Sequence, residues 1–315
     1  MIYFFPIEPL EERYSLQWLN WFLKAFEKSG KPFKVIGDLS RRKITIGEFL
    51  DVYDTIRYKA KQIAEFLYCY RGEECTIFLM DGWFSGIEGL FYVRDNAKVK
   101  IKIKCILHAG TWDPNDFISQ NGCGVWAKNI EYSWLKQYDE IFVATNYHKT
   151  LIENYFNDKF NITIVDFPVI DPDFECKEKE NIVVFPHRLA KEKQPEVFDE
   201  VAKLYKKRYP NDNVIFIKTK EVCKTKDEYY KLLAKAKVSF SSALQETFGI
   251  AMLESVKFGC VPVAPNRLSY PETLSNFPLY NNLDEAIELI WNGIHNYQKP
   301  YTRFNSDVSH IVERL

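Results

Sequence analysis

The sequence predicts an α/β protein of two parallel-sheet domains facing each other across a cleft. Strand-like and helix-like runs alternate along all 315 residues, and a segment with two prolines and mixed charges interrupts them near residue 172. Alternation of this kind is the mark of parallel sheets with crossover helices. The length suits two domains, each able to bury a core. Residues 1–172 form the first predicted domain and residues 173–303 the second.

The elements follow in order. Residues 2–5 are a short apolar strand, and Pro6 and Pro9 make the next segment a loop. Residues 15–27 read as a helix rich in Trp18, Leu19, Trp21, Phe22, Leu23 and Phe26, stopped by Gly30 and Pro32. Such an aromatic stripe either packs on a sheet or touches a membrane; the flanking strand at residues 33–36 favours the sheet. Helices are expected at residues 46–52 and 56–66, a buried strand at 75–80, and a helix leading from Trp83 and Phe84 to Tyr92. Residues 98–108 alternate lysine with valine and isoleucine, so one face of this strand is expected to be wet. Its lysines, Lys98, Lys100, Lys102 and Lys104, are either solvated or available to phosphates. His108 ends the strand and meets a loop that carries Asp113 and Asp116. Ligands in open α/β sheets bind beyond the carboxyl ends of strands, which places His108 well for chemistry. The two aspartates lack a further ligand pattern for a divalent ion, and Asp113-Pro114 is ordinary turn chemistry.

Strands at residues 141–145 and 162–165 bracket a helix at 148–156. After the break, strands are expected at 181–186, 214–218, 238–242 and 260–264, with helices at 195–209, 227–236, 283–294 and 308–315. Pro195 opens its helix in the favoured first position.

Composition narrows the function classes. The chain has 42 Lys and Arg against 43 Asp and Glu, a net charge of −1 that raises no general basic field for nucleic acid. The seven scattered cysteines contain no C-x-x-C pair, which suggests reduced thiols in a cytoplasmic protein. The first residues lack the pattern of a signal peptide, and no run reaches the roughly 20 apolar residues of a membrane span. Neither G-x-G-x-x-G after the first strand nor G-x-x-x-x-G-K-[ST] is present, which argues against a dinucleotide oxidoreductase and a P-loop enzyme.

The richest stretch is residues 238–271, read as strand, loop, helix, strand. Glu246 lies just before the helix and Glu254 inside it. Eight helical residues rise about 12 Å, comparable to a sugar–diphosphate–ribose unit. Between the acids, Thr247, Phe248, Gly249 and Ile250 present backbone N–H groups at a helix start, which attracts phosphate. The layout is acid, anion cradle, acid.

Glu246-x7-Glu254, with Phe-Gly-Ile inside it and a Gly-x-x-Pro-Val strand after it, resembles the signature of retaining GT-B glycosyltransferases, most like the GT4 family. The resemblance extends to Arg188 and Lys193, which match the cations after a family Gly-Arg-Leu strand end; His187 stands where the family has glycine. Pro271-Glu272 matches a downstream Pro-Glu without the preceding glycines, and the first loop lacks the family's glycine pair. The resemblance implies a GT-B architecture, with an acceptor-side first domain and a donor-binding second domain. It also implies that the terminal helix, residues 304–315, packs back on the first domain.

It further implies that Arg188, Lys193, Phe248, Gly249 and Ile250 hold a nucleotide diphosphate, that Glu254 accepts from ribose hydroxyls, and that His108 and Glu246 are catalytic. No metal or other cofactor is expected, since the nucleotide sugar is a substrate. The acceptor is open. A weak resemblance to bacteriophage glycosyltransferase-like proteins admits a hydroxymethylated base in viral DNA, within the host cytoplasm, met by Lys98 to Lys104, Arg41, Arg42 and Lys43. Glu11, Glu12 and Arg13 are candidates to shape the acceptor site. A saccharide, lipid-linked or protein acceptor is the alternative. A non-catalytic nucleotide-sugar-binding protein and a sugar-nucleotide epimerase share the same architecture.

Overall fold

A computed structural model describes residues 1–11, 13–41, 51–174 and 178–315. The helix expected at residues 46–52 falls almost wholly outside these residues, as do Glu12, Arg42, Lys43 and Cys176. The chain divides into two units. The first comprises Met1–Ala144, Lys149–Pro168 and Asp307–Leu315, and the second Thr145–His148 and Val169–Ser306. Besides residues 145–148, the chain enters the second unit after Pro168 and returns to the first at Asp307.

The first unit is a six-stranded parallel sheet. Its strands are β1 (Ile2–Phe5), β2 (Phe33–Val35), β3 (Cys75–Leu79), β4 (Ile101–Ile106), β5 (Glu140–Val143) and β6 (Ile162–Ile164), in the order β2-β1-β3-β4-β5-β6. Helices α1 (Tyr14–Ser29), α2 (Val52–Cys69), α3 (Ile87–Asn96), α4 (Phe117–Gln120), α5 (Gly124–Gln137) and α6 (Asn146–Phe156) connect them. In α1 the residues Trp18, Leu19, Phe22, Ala25 and Phe26 are buried. Phe22 and Phe26 lie 5.6 and 5.2 Å from Phe4 of β1, so the aromatic stripe faces the sheet and not a membrane. Gly30 ends α1 in the left-handed conformation at φ 67°, which glycine adopts without a Cβ penalty. No helix of the described residues is long and apolar enough to cross a membrane.

The lysine strand differs from expectation. Lys98 and Lys100 are exposed and Lys102 is half-buried, but Lys104 is buried. Its Nζ donates to Glu140 Oε2 at 2.8 Å and to the carbonyl of Arg314. The chain's last helix, α13 (Ser309–Val312), packs against α1 in the same unit. A strand paired on both sides can show wet alternation in sequence while distant chain covers the polar end of it.

The second unit is a four-stranded parallel sheet of β7 (Glu180–Phe185), β8 (Ile215–Lys218), β9 (Ala236–Phe240) and β10 (Val261–Val263), in the order β10-β9-β7-β8. Its helices are α7 (Pro195–Arg208), α8 (Thr219–Val222), α9 (Lys226–Lys235), α10 (Ile250–Lys257), α11 (Tyr270–Thr273) and α12 (Leu283–His295). Alternate residues of β7 feed two cores. Val183 and Phe185 join Phe198, Val201, Ile287 and Ile290 from α7 and α12, whereas Ile182 and Val184 join Tyr230 and Leu233 from α9. Each such buried side chain is worth roughly 1.5–3 kcal/mol, which is why near-continuous apolar runs mark a strand covered on both faces. A capping box between Thr225 and Glu228 starts α9. The six cysteines of the described residues are free thiols.

Candidate functional site

In the second unit the sequence-predicted residues gather at the carboxyl ends of β7 and β9. β7 leads to Pro186 and His187, and then to a loop and a 3-10 turn at Lys191–Lys193. β9 leads to the Ser241–Glu246 loop. The two loops are stitched together: Leu244 N donates to Glu192 O at 2.8 Å, and Ser242 Oγ donates to the carbonyls of Lys193 and Gln194 at 3.1 and 3.0 Å.

This docking buries Lys193, which is 7% exposed. Its ammonium donates to Gln245 O, to Gln245 Oε1 at 3.1 Å and to Glu246 Oε2 at 3.1 Å. Those three acceptors account for the three protons of an ammonium. Arg188 is also engaged, with Nε and Nη2 both on Glu192 Oε1 at 2.8 and 2.6 Å. His187 packs edge-on to Phe185 and is fully enclosed, with no hydrogen-bond partner for Nε2. Burial, and next the charges of Lys193 and Arg188, hold its imidazole well below the ordinary range, so it is neutral.

Helix α10 begins at Gly249, whose φ of 89° requires glycine. A Cβ there would also approach the Tyr270 ring to 3.2 Å. Tyr270 is itself fixed by a 2.7 Å hydrogen bond with Ser241 Oγ, and its hydroxyl is pushed far up by burial and by Glu246. Phe248 is buried against Phe304 at 5.1 Å, so it offers its backbone and not its ring. The first-turn amides of α10 have no intrahelical acceptor and form an electropositive end. Within α10, Glu254 is 6% exposed and accepts from Tyr230 Oη at 2.9 Å and Tyr229 Oη at 3.3 Å, with Lys226 Nζ 3.8 Å away. Sequence reasoning singled out neither tyrosine nor Glu192; a helical pair of tyrosines reads as core.

In the first unit His108 follows β4. Its Nε2 donates to Met80 O at 2.9 Å, and its ring lies among Tyr14, Trp18 and Phe167 at 5.5, 5.2 and 5.7 Å. Burial lowers its pKa, partly offset by Asp81. Asp81 meets Lys59 Nζ at 3.3 Å and caps Trp83 N at 3.1 Å. Asp113 and Asp116 serve local turns, accepting from Asn115 N at 2.9 Å and Ile118 N at 3.0 Å. No metal-holding cluster of His, Cys, Asp and Glu occurs among the described residues. Sequence reasoning also missed Glu131 on α5. The residue is 3% exposed, and its carboxylate accepts from Thr111 N at 3.0 Å, Thr111 Oγ1 and Trp83 Nε1 at 2.6 Å. It thus ties the loops after β3 and β4 to one helix.

Two parallel-sheet α/β units of this kind define the GT-B class of fold. Residues 199–279 match the family model described as glycosyl transferases group 1. The chain is 40% identical over 67 residues to the tRNA-queuosine alpha-mannosyltransferase of Drosophila melanogaster, a segment that is 21% of this chain and 18% of that protein. Among solved structures it is similar to sucrose-phosphate synthase from Thermosynechococcus elongatus, with 14% identity, TM-score 0.63, and 99% and 96% of the two chains covered. The N-terminal domain of Candida albicans trehalose-6-phosphate phosphatase shares the fold at 9% identity and TM-score 0.63, with 93% and 88% covered. TarM does so at 17% identity and TM-score 0.51, over 71% of this chain and 48% of TarM. The chain thus spans about half of TarM and under a fifth of the fly protein.

Proposed function

We propose that this chain is a retaining, metal-independent glycosyltransferase that moves a sugar from a nucleotide sugar to a hydroxyl acceptor. The observation that carries this reading is the grouping of Lys193, Glu246, the start of α10 and Glu254 in one unit, with Lys193 and Glu246 3.1 Å apart. Arg188, Lys193 and the α10 amides would neutralise the leaving diphosphate. Glu254 would take the ribose hydroxyls, and Glu246 would face the transferred sugar and the positive charge that develops at its anomeric carbon. In the proposed front-face reaction the bond from the anomeric carbon to the diphosphate oxygen breaks. The acceptor oxygen bonds to that carbon on the same face, and the acceptor proton passes to the departing phosphate. His108, kept neutral, is assigned to the acceptor side. The match to the group 1 family model and the S. aureus TarM variant solved with UDP support a nucleotide-sugar donor.

For the acceptor, a nucleic acid draws support from the fly relative, whose name states a tRNA nucleoside as its target. The lysine-strand route to viral DNA is weakened by Lys104, which is paired with Glu140 and so withdrawn from phosphate contact. Retention on DNA that falls steeply with salt would restore that route; a saccharide acceptor would give no retention.

A thermal-shift screen across UDP and GDP sugars tests the donor reading, because a ligand of the folded state raises the melting temperature. Transfer is expected to fall by about a hundredfold or more in Glu246→Ala and Lys193→Ala. Intact transfer in both variants would refute the assignment, and binding without turnover on any acceptor would favour a binding protein.

A further inference from the structure

We propose that Glu192 holds the place of a phosphate group at Arg188 and is exchanged for the diphosphate when the donor binds. This rests on the donor reading above, and it adds a residue and an atomic position to it. One carboxylate oxygen, Glu192 Oε1, takes both Nε and Nη2 of Arg188, at 2.8 and 2.6 Å. That single oxygen covers the Nε–Nη2 edge of the guanidinium, an edge through which arginine also binds phosphate by charge-assisted hydrogen bonds. The Arg188 side chain is 35% exposed, so its face is open to exchange, while Glu192 is 16% exposed. The 3-10 turn carrying Glu192 is fixed by Leu244 N on its carbonyl, so the carboxylate is presented from a held backbone and swings on its own side-chain torsions.

Charge favours the exchange. Arg188 and Lys193 carry two positive charges; Glu192 and Glu246 carry two negative ones at 2.6 and 3.1 Å from them. His187, buried and neutral beside them, adds none. Each of these two cations is thus matched by an acid within hydrogen-bond reach, while Arg267 Nη2 lies on Ser242 O at 2.8 Å, and a diphosphate meets the full charge of Arg188 only after Glu192 leaves. Lys193 has its three protons matched by Gln245 and Glu246 in an enclosed position, whereas the Arg188–Glu192 pair is the more exposed of the two. The two acids are equally exposed, at 16% and 17%, but Glu192 leaves behind a cation that is 35% exposed and Glu246 one that is 8% exposed, so Glu192 is the acid that moves at lower cost.

Titration calorimetry with UDP, GDP and inorganic pyrophosphate tests the exchange on four chains: unaltered, Glu192→Gln, Arg188→Ala and the double variant. Removing the competing charge should tighten binding about two- to fivefold, the range for a partly exposed ion pair. The gain should shrink at high salt and vanish in the Arg188→Ala background. Circular dichroism and melting curves check folding, and Glu192→Asp, which draws the carboxylate back by one methylene, supplies a second variant with a gain in the same direction. Equal or weaker binding by Glu192→Gln overturns the proposal and makes Glu192 a support for Arg188. If UDP and GDP bind without the gain, the exchange fails and the donor reading stands. Should only pyrophosphate bind, with the gain, the exchange stands and the nucleotide reading fails. No binding of any probe refutes both.

Discussion

Burial raises the Glu131 carboxyl from an ordinary 4.5 to about 7, and the Thr111 and Trp83 donors offset part of that cost. The folded carboxyl holds its proton more tightly than the unfolded one. Stability is therefore full below about pH 4.5, falls as pH rises to about 7, and is level above that. At about 1.4 kcal/mol per unit the loss is on the order of 3 kcal/mol. Urea unfolding of the unaltered chain against Glu131→Gln should show their difference shifting in favour of the glutamine over that interval; a flat difference would refute it. His187 runs the other way, since its pKa is lowered and its contribution is lost as pH falls below the ordinary histidine range. Glu131 also shows what a sequence conceals. Glu246 and Glu254 stood out by their spacing around a helix start, and Arg188 and Lys193 by resemblance to a family pattern; the fold brings Lys193 to 3.1 Å from Glu246. Glu131 matters through Thr111, 20 residues back, a distance that forms no motif, and Glu192 through Arg188 at i,i+4, a spacing shared by ordinary surface pairs.

At the scale of elements, most strands were readable because parallel strands covered on both faces are short apolar runs. Helix α5 was missed for a physical reason. Its buried face is Ala127, Glu131, Trp134 and Leu135, so a carboxylate interrupts the apolar period, while Val125 and Trp126 are exposed. The wet face assigned to β4 failed at Lys104 because its cover comes from residue 314, far along the chain. The start of α10 was readable from the helical spacing of Ile250, Ala251, Leu253 and Val256, and the geometry of its N-cap, Gly249, makes a prediction. At φ 89°, with the Tyr270 ring 3.2 Å from where a Cβ would stand, Gly249→Ala must adopt a left-handed conformation and displace the ring. The cost should be about 1–2 kcal/mol from the backbone. Because the strain reorients the first-turn amides, nucleoside diphosphate affinity should fall severalfold more than stability alone explains. Calorimetry at a temperature where the variant is fully folded separates the two; unchanged affinity would detach those amides from the phosphate.

For the whole molecule, the first unit is closed by chain that has already passed through the second. Val308, Ile311 and Val312 are each about 1% exposed or less. Lys31 Nζ donates to the carbonyls of Val312 and Glu313 at 3.0 Å each, Thr76 Oγ1 donates to Leu315 O at 3.2 Å, and His310 Nε2 bonds Asp166 O at 2.9 Å. Three buried apolar side chains are worth roughly 5–9 kcal/mol together at about 1.5–3 each, comparable with the net stability of a domain. Removing residues 307–315 also uncovers Lys104 and its partner Glu140. The second unit has its own two cores, both drawn from residues 170–294. A chain stopped at Ser306 should therefore lose amide protection in β1, β3 and β4 while β7 and β9 keep theirs, as read by hydrogen exchange. Calorimetry should show an early transition belonging to the first unit, ahead of an unshifted one. Protection lost equally in both sheets would mean that the terminal segment stabilises the chain as one cooperative body, and protection kept in both would mean that its contacts contribute little.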